Sequence, residues 1–152
     1  MAPFIALVTV SLIARIVGFI GVDYVNSWPK ALAVGLAAMF ILTASAHFKQ
    51  PRRDGLIAIV PPRIPYAKLM VTITGVLELV GAAGLLTSPS WIPGARIAAA
   101  LGLGVLMIGM FPANIYAARK ARHSHAPRTP LALRTVLQIV FLGCAAVVAG
   151  FT

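Results

Sequence analysis

Glu78 and Arg15 pose the sharpest chemical question, because each stands inside a long apolar run: TGVLELVGAAGLL around Glu78 and VTVSLIARIVGF around Arg15. An ionised group in hydrocarbon is costly, about 2.5–3.5 kcal/mol for Arg at mid-helix on insertion scales. Such groups therefore face a protein interior or a wet cavity. Counted from the starts of their runs, Tyr66 and residue 4, both residues lie about 18 Å deep at 1.5 Å per helical residue. Equal depth and opposite charge predict a direct or water-bridged pair. Thr74, Gly75, Gly81 and Ala82, at i−4, i−3, i+3 and i+4 from Glu78, are all small and predict that its face packs against another helix. Two readings of the pair stand at this point. It lines a polar pocket for a ligand or proton, or it is a structural clasp between two helices.

A second polar set gathers at one level near the ends of the apolar runs. His47 closes one run, Asn114 follows Pro112 in another, and Arg134 and Gln138 share a face at i and i+4 in a third. Converging, these residues suit an anionic or carbonyl-bearing head group. Separately, each snorkels to the interface or satisfies a helix end.

Other candidates carry less. His123 and His125 have no acidic or thiol partner nearby in sequence, so no metal site is expected. His47 is the only histidine within an apolar run, which leaves a bis-histidine haem unavailable to a single copy. Cys144, the only cysteine, excludes an internal disulfide and a Cys-x-x-Cys pair, and its Gly/Ala/Val surroundings make it packing material.

The elements that hold these residues follow from composition. Sixty per cent of the 152 residues are apolar, 11% are charged and the mean hydropathy is +0.95. Soluble domains average about 25% charged residues, so this chain cannot clothe a water-facing surface. A sizeable aqueous domain, a P-loop, a dinucleotide fold and a disulfide scaffold are excluded. The net charge of +10 tracks the ends of the apolar runs and reads as orientation and lipid attraction, not nucleic acid binding. The N-terminus has no basic leader region, so the first run is read as retained.

Five segments meet the length needed to span a bilayer: Phe4 to Val22, Pro29 to Phe48, Tyr66 to Thr87, Ala95 to Ala118 and Leu131 to Phe151. Residues 50–65 between the second and third are too short and proline-rich to span, and read as a re-entrant or surface-lying loop. Ten Lys/Arg flank the second-to-third and fourth-to-fifth connections, against Lys30 and Arg96 alone in the other two. Positive residues stay inside, so the expected protein is a multi-pass inner (plasma) membrane protein with N-terminus cytoplasmic and C-terminus external. Trp28 and Trp91 fit an external aromatic belt, and Gly102, Gly104 and Gly109 suggest close helix contact within the bundle or across a homo-oligomer.

Several spaced motifs resemble the DoxX-like family of small integral membrane proteins. They are H-F-x-x-P from His47 to Pro51, I-V-P-P-x-I-P from Ile59 to Pro65, T-G-V-L-E-L-x-G-A-A-G-L-L from Thr74 to Leu86, and F-P-A-N-I from Phe111 to Ile115. The resemblance covers about residues 36 to 150 and implies a four-helix bundle, to which this chain adds its first span. It brings forward His47, Glu78 and Asn114 as recurrent polar positions without assigning a reaction. It also implies association with quinone-linked oxidation, membrane oxidoreductase assemblies or chaperoning of membrane proteins.

The expectation is an all-α integral membrane bundle of five transmembrane helices with a polar pocket for a quinone or lipid. Glu78 and Arg15 form its floor, His47, Asn114, Arg134 and Gln138 its mouth, and the 55–65 segment a lid. It serves as an accessory or binding component beside membrane redox subunits, not as an enzyme by itself; the lone cysteine disfavours a free-standing thiol oxidoreductase. The alternative is an assembly factor or structural subunit, with a filled interior and a Gly-lined outer groove on the fourth span.

Overall fold

The computed structural model describes residues 1–120 and 129–152, and these are helical throughout apart from turns. The long helices are α1 (Ala2–Phe19), α2 (Trp28–Phe48), α4 (Ala67–Leu86), α5 (Ala95–Lys120) and α6 (Leu131–Phe151), with the short α3 (Arg52–Ala58) between α2 and α4. A single 3₁₀ turn, Asp23–Val25, joins α1 to α2. All five long helices are long and apolar enough to cross a membrane, which makes the chain a multi-pass helical membrane protein. Pro3 and Pro29 sit in the first turns of α1 and α2, and Pro130 immediately precedes α6, positions where a missing N–H costs nothing.

α2 is the central helix. It packs against α1, α4 and α6, and its buried residues run from Ala31 to His47 around most of its circumference. α4 buries one stripe, Val71, Gly75, Glu78, Ala82 and Leu85, at alternating spacings of four and three. Leu36, Met39, Leu85 and Val148 are the largest fully buried side chains and tie α2, α4 and α6 together. Close approach depends on missing side chains. A Cβ on Gly35 would sit 2.0 Å from Ser11 Oγ of α1, and one on Gly75 would sit 2.6 Å from His47 Cβ of α2. Gly81 and Gly84 likewise admit Leu103 and Ala99 of α5.

The glycines expected to make close contacts from α5 do not do so within the chain. A Cβ on Gly102 or Gly109 would meet nothing within 4 Å, and one on Gly104 only Leu142 at 3.8 Å. Gly102 and Gly109 face outward. The loop expected over 50–65 contains α3, whose Leu56, with Ile59 beyond it, packs against Ala113 and Ala117 of α5.

Candidate functional site

On the α2/α4 side, the chemistry centres on Glu78. Its carboxyl is 3% exposed and held from two directions. The Thr43 hydroxyl donates to Oε2 at 2.8 Å, and His47 Nε2 lies 3.7 Å from Oε1. The imidazole is itself fixed, because Nδ1 lies 2.8 Å from the Val71 carbonyl oxygen, a pure acceptor. Nδ1 therefore carries the hydrogen, and Nε2 is the nitrogen turned to the carboxyl. Thr74 Oγ1, 3.1 Å from Nδ1, braces the ring from the same helix. One level nearer the loop, Arg53 of α3 donates to the His47 carbonyl at 2.6 Å and to Thr72 Oγ1 at 2.9 Å, so α3 caps the end of α2.

On the α5/α6 side, three polar residues form a chain. Arg134 is buried and donates through Nε to the Thr129 carbonyl at 2.8 Å and through a terminal nitrogen to Asn114 Oδ1 at 3.3 Å. The Asn114 amide reaches Gln138 Oε1 at 3.5 Å, and Gln138 Nε2 donates to the Met107 carbonyl at 3.0 Å. That carbonyl lies in the turn before Pro112, which lacks the N–H that would bond Ile108. Gln138 thus adds a donor to the carbonyl next to the one that Pro112 leaves without its helical partner.

Between the two sides lies a cavity of about 410 Å³, within the range of small-molecule sites. Glu78, Thr43, Asn114, Arg134 and Gln138 all contribute to its wall, and the rest is largely Phe, Met, Leu and Ile from α1, α2, α5, α6 and the α3 segment. Met1, Pro3 and Phe4 of α1 border it, together with Leu56 and Ile59. The cavity is therefore at the end of the bundle that carries the basic connections.

The site differs from expectation at three points. Arg15 does not pair with Glu78. α1 ends at Phe19, short of Val22, so Arg15 lies one turn from the opposite end, where its guanidinium carbon is 3.8 Å over the Phe19 ring and 5.9 Å from that of Trp28. Depth counted from residue 4 alone ignored the far end of the helix. His47 is behind Glu78 and does not border the cavity; it acts on the space through the carboxyl. Of the 55–65 segment, only Leu56 and Ile59 reach the cavity. Arg134 is drawn inward by Thr129 and Asn114 and does not snorkel. His123 and His125 lie outside the described residues, among which no cluster of metal-ligating residues occurs.

Thr43 carries no charge to mark it in the sequence, although it stands one turn before His47 on the same face of α2. At the other end, Arg96 of α5 is buried and donates to the Leu85 carbonyl at 3.0 Å, while the Tyr24 hydroxyl donates to Leu86. Two side chains thus satisfy the last carbonyls of α4.

The model of a family described as a domain of unknown function, DUF8561, matches residues 36–149. The chain belongs to that family. The matched stretch contains every polar residue of the cavity wall and begins within α2, leaving α1 and Arg15 outside it. No curated protein and no solved structure matches the chain.

Proposed function

We propose that the cavity binds a membrane-resident amphiphile, a quinone or a lipid, and that the protein is an accessory or binding component of a membrane redox system. The observation that carries this reading is the convergence of Glu78 and Thr43 from one side with Asn114, Arg134 and Gln138 from the other, around an otherwise apolar space. A guanidinium and two side-chain amides offer donors to carbonyl or phosphate oxygens. The apolar walls accept a ring or tail drawn in from the bilayer. With Nδ1–H committed to Val71, Nε2 faces the Glu78 carboxyl at 3.7 Å, and the carboxyl, on the cavity wall, is the group that can present a proton to a ligand oxygen. The DoxX-like motifs support a redox association, and the basic connections support a cytoplasmic-side entrance with the N-terminus inside.

Mass spectrometry of lipids and quinones that co-purify with the protein tests this reading. Glu78→Gln is expected to lower the retained ligand about tenfold, equivalent to about 1.4 kcal/mol, while the helical bundle persists. Retention unchanged per folded molecule, with folding impaired, would assign Glu78 to a structural clasp.

A second reading, an assembly factor, draws on one observation. An outward groove of about 350 Å³ runs between α4 and α5, bordered by Gly81, Gly84, Ala98, Ala99 and Gly102. Small residues there would let another transmembrane helix approach closely. A stoichiometric membrane partner lost on Gly102→Leu, with ligand retention unaffected, would favour it.

A further inference from the structure

The chain has three acidic residues, and none of them meets Arg15. Asp23 accepts from the Asn26 side chain at 3.2 Å, Glu78 is engaged by Thr43 and His47, and Asp54 lies on α3 at the basic end. Among the described residues the one approach within 4.0 Å between a basic side chain and a carboxylate is His47–Glu78. The other two cations at the Arg15 end are satisfied by protein oxygens: Lys30 by the Asp23 carbonyl and Asn26, Arg96 by Leu85. Arg15 is held by rings alone, and its Nε is shielded from solvent without a hydrogen-bond partner.

We infer that Arg15, flanked by Phe19 and Trp28, is a binding site for the phosphate of a membrane phospholipid in the leaflet opposite the basic connections. Its N–H groups lie in the guanidinium plane, so stacking over Phe19 at 3.8 Å covers a face, and although Nε is shielded the edge formed by the two terminal nitrogens stays available. That edge matches a phosphate in a bidentate, charge-assisted contact. The position is right for a head group. Arg15 is one turn, about 5.4 Å, below the end of α1, within reach of the interface for a long side chain. Phe19 is 73% and Trp28 52% exposed, as side chains at an interfacial belt are. Leu12 and Val8, exposed on α1 at i−3 and i−7 from Arg15, give acyl chains an apolar surface below it. The site lies at the other end of the bundle from the cavity, so its lipid is separate from the cavity's ligand.

Native mass spectrometry of the full chain released from detergent micelles tests the inference, with dioleoyl phosphatidylglycerol as probe, dioleoylglycerol as the phosphate-free control and inorganic phosphate as competitor. Wild-type protein is expected to retain the phospholipid and not the diacylglycerol, and free phosphate is expected not to displace it. Arg15→Gln is expected to lower retention about tenfold through loss of the bidentate contact. Arg15→Lys, which keeps the charge and loses the fork, is expected to lower it about threefold. Equal retention of the two lipids by wild-type protein, a comparison that needs no variant, would overturn the inference. So would undiminished retention by folded Arg15→Gln. Displacement by inorganic phosphate would make the site one for a free anion and overturn its assignment to lipid.

Discussion

Glu78 is positioned by residues that are each nearly irreplaceable for a different reason. Gly75 leaves room for His47, so Gly75→Ala must push the imidazole away from the carboxyl. Overpacking of this kind costs about 1–3 kcal/mol, and thermal unfolding in detergent should register that loss together with lower ligand retention. Thr43→Val keeps the shape and removes the hydroxyl that donates to Oε2. Polar contacts within membranes average about 0.6 kcal/mol, so this variant should stay folded and lose ligand selectively, measured as the ratio of retained ligand to folded protein. The inward aim of Glu78 was legible in its small neighbours at helical spacing. The position of Arg15 was not, because depth along a helix depends on both ends and the chain beyond Phe19 reads as apolar as the helix itself. Of its ring partners, Phe19 stands at helical spacing, i+4, whereas Trp28, across the turn, belongs to tertiary geometry that periodicity does not encode.

Among the elements, α5 and α6 are joined by a side chain reaching a main-chain carbonyl. Gln138→Leu removes the side-chain donor to the Met107 carbonyl, one residue before the carbonyl that Pro112 leaves without its helical partner. The expected loss is about 0.6–1.7 kcal/mol of stability, read by thermal unfolding, together with faster amide exchange confined to the Pro112 region. α3 is the element the sequence resolved least. Its apolar centre and proline-rich flanks excluded a span, but seven residues carry too little periodicity to fix a helix. What fixes it is contact: Arg53 on the last turn of α2, and Leu56 with neighbouring Ile59 on α5. Arg53→Met is therefore expected to loosen α3 without unfolding the bundle, detectable as protease cleavage between residues 50 and 65.

For the whole molecule, the distribution of charge matters more than its sum. Met1, α3, the last turns of α5 and the first of α6 share one end, the same end as the basic connections. With Lys/Arg retained inside, a phosphatase fused after Thr152 is expected to be active and a fluorescent protein there dark. The opposite result would turn the cavity to face the other compartment. The five long helices were readable because each carries about 20 apolar residues between prolines or charges. The cavity was readable only as a shared level of polar residues, since which of them meet depends on the neighbours each helix finds.

The opening residues of α1 stand at the rim of the cavity. An affinity handle placed before Met1 would hang its linker beside the entrance and could mimic or block an occupant. Preparations meant to show what the protein carries are better made with the handle at the other terminus, where α6 ends away from that opening.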